Sequence, residues 1–77
     1  MEGIVDSNKN MSLYLQVKDI LIKRIQEKIW ATGTLIPTEQ ELMDEFNVSR
    51  TTIRQAISIL VQDGLLEKKQ GKGTRIQ

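Results

Sequence analysis

From Leu13 onward, apolar side chains return every three or four positions: Leu13, Val17, Ile20, Leu21, Ile25 and Ile29. Lys18, Asp19, Lys23, Arg24, Gln26 and Glu27 take much of the intervening surface. This spacing lines the apolar set along one side of an α-helix. Ser12 fits its N-cap, and Ala31-Thr32-Gly33-Thr34 supplies turn chemistry that ends it near Trp30. Pro37 biases Ile36 away from helix, so Leu35-Ile36 forms only a very short extended piece.

A second helix opens at Thr38. Thr38-Glu39-Gln40-Glu41 reads as a capping box: the threonine hydroxyl accepts from the Glu41 amide, and the Glu41 carboxylate accepts from the Thr38 amide. Glu39 and Glu41 also suit the positive end of the helix dipole. Leu42, Met43 and Phe46 form the buried side, Asn47 is a natural left-handed exit, and Val48 lies in the connection. Ser49 caps a third helix running to about Asp63, with Gly64 just past its end. At roughly 100° per residue, Ile53, Ala56, Ile57, Leu60 and Val61 share one broad side of it. Thr51, Arg54, Gln55, Ser58 and Gln62 fall on the other, with Arg50 beside them in the first turn. Beyond Gly64, residues 65–70 read as a strand, Gly71-Lys72-Gly73 as a turn whose glycines take positive φ, and residues 74–77 as the return strand. A lone ribbon is marginal, so Leu65, Leu66 and Ile76 must lean on the helices. The expected fold is mostly α with a small β-wing, three helices and a C-terminal hairpin over residues 12–77. Residues 1–11 read as a disordered arm or tag remnant.

Composition narrows the function. The 77 residues contain neither histidine nor cysteine, which removes the usual zinc ligands and most nucleophile–base pairs. No enzyme, metal or other cofactor is expected. No apolar run approaches the roughly 18 residues that span a bilayer, and the N-terminus lacks the pattern of a signal peptide, so a cytoplasmic protein is the expectation. The net charge of +1 is unevenly spread: residues 1–46 carry a net −3 and residues 47–77 a net +4. One half of the chain therefore suits a polyanion, although an ordinary solvated surface fits the charge equally well.

The third helix adds a sharper signal. Every residue on its polar side can hydrogen-bond and none is acidic, whereas a merely solvated helix normally mixes in Asp or Glu. Two helices joined across Phe46-Asn47-Val48-Ser49 are a helix-turn-helix candidate, the second laying its N-terminal residues into the major groove. Arg50 and Arg54 lie one turn apart, and either can reach guanine O6 and N7 with two prongs. Ser49, Thr51, Thr52 and Gln55 flank them. In the hairpin, Lys68, Lys69, Gly71, Lys72, Gly73 and Thr74 place cations and flexible backbone where a wing meets the neighbouring groove. The same lysines also serve as ordinary protection of an edge strand. A nucleotide-binding P-loop is set aside, because Leu66 stands where its first glycine belongs and Gly73 where its Ser/Thr belongs. A protein-interaction module using the polar side remains the alternative from another class.

These segments together resemble the GntR family of bacterial transcription regulators. The likeness runs from Leu13-Tyr14-Leu15-Gln16-Val17 through Trp30, Gly33 and Leu35-Ile36-Pro37-Thr38-Glu39-Gln40-Glu41-Leu42. It continues through Phe46-Asn47-Val48-Ser49-Arg50-Thr51-Thr52-Ile53-Arg54-Gln55-Ala56 and Asp63-Gly64-Leu65-Leu66 to Gln70-Gly71-Lys72-Gly73-Thr74. The wing and the early segment are most similar to the HutC-like branch, with the YtrA-like branch next. The resemblance implies a winged helix-turn-helix that binds an inverted-repeat operator in double-stranded DNA, most often as a homodimer and a repressor. It assigns base and phosphate contacts to Arg50 and Arg54, helix-start contacts to Thr51 and Thr52, and the wing tip to Gly71 or Gly73. Gln40 stands where many members carry a basic residue. Members normally continue into a larger effector-binding domain, so the resemblance also implies that this chain is an excised head and that the small-molecule effector belongs to the absent part.

Overall fold

The computed structural model describes residues 12–69 and 71–77. The expected arm over residues 1–11 lies outside them, as does Gln70, the expected last residue of the first strand. The order is α1 (Leu13–Gln26), α2 (Glu39–Phe46), α3 (Arg50–Gln62), β1 (Leu66–Lys69) and β2 (Gly73–Ile76).

Local chemistry accounts for most of the boundaries. Thr38 and Glu41 form the reciprocal capping box, with Oγ1 accepting from the Glu41 amide at 3.1 Å and Oε1 accepting from the Thr38 amide at 2.9 Å. Asn47 closes α2 in the left-handed region at φ 55°. The Ser49 hydroxyl accepts from the Thr52 amide at 3.2 Å to start α3. Gly64, at φ 80°, ends α3, with bonds from the Leu65 amide to Leu60 and from the Gly64 amide to Val61.

Helix α1 departs from its sequence pattern. It stops at Gln26, four residues short of Trp30. Lys28 adopts φ 58° there, while the Ile29 amide reaches the Arg24 carbonyl at 3.0 Å and the Lys28 amide reaches that of Ile25 at 3.1 Å. This is the bonding of a Schellman end, built on lysine where glycine usually stands. Ile29, expected on the apolar side, is consequently 59% exposed. At the other end, Ser12 receives the Leu15 and Gln16 amides on its backbone carbonyl, but its side chain makes no cap bond. Val61 of α3, also expected in the apolar set, lies at the exposed margin of its helix.

Val17 and Leu21 from α1, Leu42 and Phe46 from α2, Ile53, Ala56, Ile57 and Leu60 from α3, and Ile36, Leu66 and Ile76 make one buried cluster. Each fully buried aliphatic side chain in such a cluster contributes about 1.5–3 kcal/mol relative to an exposed one. Arg24 ties α1 to α2 from outside this core. It pairs with Glu45 and lies 5.2 Å from the centroid of the Phe46 ring and 5.8 Å from that of Trp30.

The hairpin is antiparallel, with Leu66 opposite Ile76, Glu67 opposite Arg75, Lys68 opposite Thr74 and Lys69 opposite Gly73. Its second strand is also paired on the far side. The Ile36 amide donates to Thr74 at 2.8 Å, the Ile76 amide to Thr34 at 2.9 Å and the Gly33 amide to Ile76 at 2.8 Å, with Leu35 bridging Arg75. The short extended piece before Pro37 therefore docks on the wing, a pairing that the hydrophobic pattern did not reveal.

A candidate nucleic-acid interface

Helix α2 and helix α3 meet across the tight Asn47–Ser49 corner, and β1 packs against α3. This brings cations from two separate elements to one carboxylate. Arg50 Nη1 donates to Glu39 Oε1 at 3.0 Å, and Arg54 Nε donates to both Glu39 oxygens at 3.2 Å. Lys68 Nζ of β1 stands 3.9 Å from Glu39 Oε2. The other end of the Arg50 fork, Nη2, reaches Gln40 Oε1 at 3.4 Å, while Gln40 Nε2 donates to Asp44 at 3.1 Å. Both prongs of Arg50 are thus engaged within the protein, whereas Arg54 meets Glu39 only through Nε.

The Glu39 side chain is 22% exposed, and the Arg54 side chain is 60% exposed. Partial burial pushes the Glu39 carboxyl up. Hydrogen bonds from Arg54 and Arg50, with the charges of Arg54 and Lys68, outweigh that push and hold it below the ordinary carboxylate value. Glu67 on β1 is held down as well, chiefly by the hydrogen bond from Arg75, against a smaller opposing effect of burial. It receives Arg75 Nη2 at 2.6 Å and has Lys69 Nζ at 3.7 Å, so these two wing cations are partly neutralised in place.

The remaining expected residues divide by exposure. Ser49, Thr51, Gln55, Gly71, Lys72 and Gly73 are exposed and Thr52 is half-buried, its hydroxyl 3.1 Å from that of Ser49. Gly71 and Gly73 adopt φ 75° and 90°, as their turn requires. Thr74 is buried, and its carbonyl holds the Ile36 amide. It supports the wing from within. An open cleft of about 420 Å³ separates the wing from the start of α2, with Thr38, Gln40, Arg50, Lys68 and Lys72 among its walls. Among the described residues, no group of acidic, histidine or cysteine side chains is placed to hold a metal ion, and no helix is long and apolar enough to cross a membrane. Sequence reasoning gave Glu39 only a role at the helix dipole. Its central place depends on how α2 crosses α3, which no local spacing encodes.

Three helices with a two-stranded wing, the third helix carrying paired arginines at its start, define a winged helix-turn-helix. Residues 13–76 match the model of the bacterial regulatory proteins of the gntR family. The chain belongs to that family, as one of its DNA-binding domains. It is 47% identical over 72 residues to a probable fructoselysine utilization operon transcriptional repressor of Escherichia coli, covering 94% of this chain and 30% of that protein. A histidine utilization repressor of Pseudomonas aeruginosa is 40% identical over 62 residues, covering 80% of this chain and 25% of the relative. Among solved structures, the AraR DNA-binding domain in complex with operator ORE1 superposes with a TM-score of 0.87 at 42% identity, covering all of this chain and 94% of that one. The chain thus spans less than a third of the length of these curated relatives.

Proposed function

We propose that this domain recognises a specific operator in double-stranded DNA through the start of α3, with the wing in the adjacent groove. One observation carries the reading: Arg50 and Arg54 of α3 and Lys68 of β1 all lie within 4 Å of a single carboxylate, so recognition helix and wing present their cations together. Arg50 and Arg54 read guanine edges in the major groove. Ser49, Thr51, Thr52, Gln55 and Gln40 hold phosphates or neighbouring base edges around them. Lys68, Lys69 and Lys72, with the backbone of Gly71 and Gly73, follow the backbone and the minor groove, and buried Thr74 fixes the wing behind them. The whole regulator acts in the cytoplasm as a homodimer on an inverted repeat and represses transcription, consistent with the repressors among its relatives. A small-molecule effector is sensed outside these 77 residues.

The test is selection of bound duplexes from a random pool at low and at moderate salt. Enrichment of a short motif, paired as an inverted repeat, supports operator recognition. Binding without enrichment, or no binding to any duplex even at low salt, overturns it in favour of an acidic protein partner for the same surface.

A further inference from the structure

Glu39 stands in an unusual position for a residue of a DNA-facing surface. Its side chain is one of the less exposed at the interface, and it is negatively charged where a polyanion must approach. It accepts from Arg50 and from Arg54 and lies beside Lys68. The neighbouring Gln40 takes the second prong of Arg50. A guanine edge needs two prongs of one guanidinium, and a phosphate needs the same donors. While Glu39 and Gln40 take a bond from each terminal nitrogen, Arg50 has fewer of its five donors left for either contact. Once an arginine leaves, the carboxylate is left with fewer partners beside the phosphates.

We propose that Glu39 is a built-in competitor for DNA, a carboxylate that occupies the recognition arginines and Lys68 in the free domain and lowers affinity for every duplex. The inference rests on the DNA-binding reading above and assigns a further role within that surface. Its charge and its reach act together: the carboxylate substitutes for phosphate until a duplex displaces it. Glu41, two residues on, separates the two contributions. It carries the same charge in the same helical turn, but its carboxylate is bonded to the Thr38 amide. Glutamine at that position sustains the capping box.

The experiment compares wild type, Glu39→Gln and Glu41→Gln by fluorescence anisotropy on a random-sequence duplex and on the motif recovered by selection. Glu39→Gln is expected to bind both about fivefold more tightly, the size that follows from freeing two or three solvent-screened pairs. It should also show a steeper dependence of log K on log salt, because more cations are available to phosphate. Glu41→Gln is expected to shift binding by less than about twofold. A Glu39→Gln protein that binds no more tightly than wild type, or a Glu41→Gln protein that gains as much, overturns the proposal. Failure of wild type to bind any duplex overturns the DNA-binding reading instead. A second measurement needs no DNA: carbon NMR titration of the carboxyls in the free domain. Glu39 should titrate below the ordinary range and move up in Arg54→Ala; an ordinary titration unaffected by that change refutes the competitor role.

Discussion

Replacing Arg54 with alanine separates recognition from folding. In the free domain the Arg54 side chain is 60% exposed, and its Nε donates to both Glu39 oxygens at 3.2 Å. A pair that exposed contributes about 0.2–1 kcal/mol, and Glu39 keeps Arg50 and Lys68 after the change. The melting temperature should therefore fall by about 1–8 °C, given about 4–8 °C per kcal/mol for a domain of this size. On DNA the penalty is larger and selective. A two-pronged arginine contact with guanine discriminates by about 1–3 kcal/mol, which is roughly 5- to 150-fold in affinity ratio. The expected signature is a collapse of preference at one base pair of each half-site, with the other positions read as before. The assay is anisotropy on the selected motif and on duplexes carrying each single base-pair change, at fixed salt. Equal weakening on every duplex would reduce Arg54 to a phosphate contact and refute its assignment as a base reader. A large drop in melting temperature would instead show that the Glu39 pairing is structural.

Three further outcomes follow from the same geometry. Ile57 is 4% exposed within the central cluster, so Ile57→Asp should abolish the cooperative melting transition followed by circular dichroism, and a normal melt would refute the core assignment. Lys68→Ala and Lys69→Ala should leave the selected motif unchanged and flatten the slope of log K against log salt by about 0.9 for each phosphate that the missing ammonium no longer neutralises; an unaltered slope removes the wing from the phosphate backbone. Glu39 and Glu67 are both held below their ordinary carboxyl value of 4.5, so their contribution to stability is present above that value and is lost as pH falls through their depressed values. Thermal melts from pH 7 to pH 3 should show a shallower acid decline for the double variant Glu39→Gln, Glu67→Gln, and parallel declines would refute the pairing.

The sequence disclosed best those features whose chemistry is local. Thr38 with Glu41, Ser49 with the Thr52 amide, Asn47 and Gly64 are all decided within four residues, and each stands where its side chain or its freedom at positive φ requires. The end of α1 was hidden because lysine gives no sign of a left-handed stop. The apolar rhythm runs on through Ile29, although the helix does not. The docking of residues 33–36 on β2 was hidden for a different reason. It joins backbone groups far apart along the chain, and hydrogen bonds between main chains leave little mark on composition. At the interface, the arginines and the wing lysines were legible as cations on a polar face. Glu39 was not, since only the crossing of α2 over α3 carries it to them. Thr74 looked like a surface threonine of the wing, but strand alternation and its partner at Ile36 turn it inward.

The docking of residues 33–36 also ties the wing to the helix-turn-helix through the backbone. The segment that grips β2 leads through Pro37 directly into Thr38, the cap of α2, so wing and helix-turn-helix share one short, doubly anchored stretch of backbone. Ile36, bonded to Thr74 of β2, stands two residues before Thr38, so the anchor on the wing and the cap of α2 belong to one short segment. Substitutions in residues 33–36 are therefore expected to disturb both the wing and the start of α2.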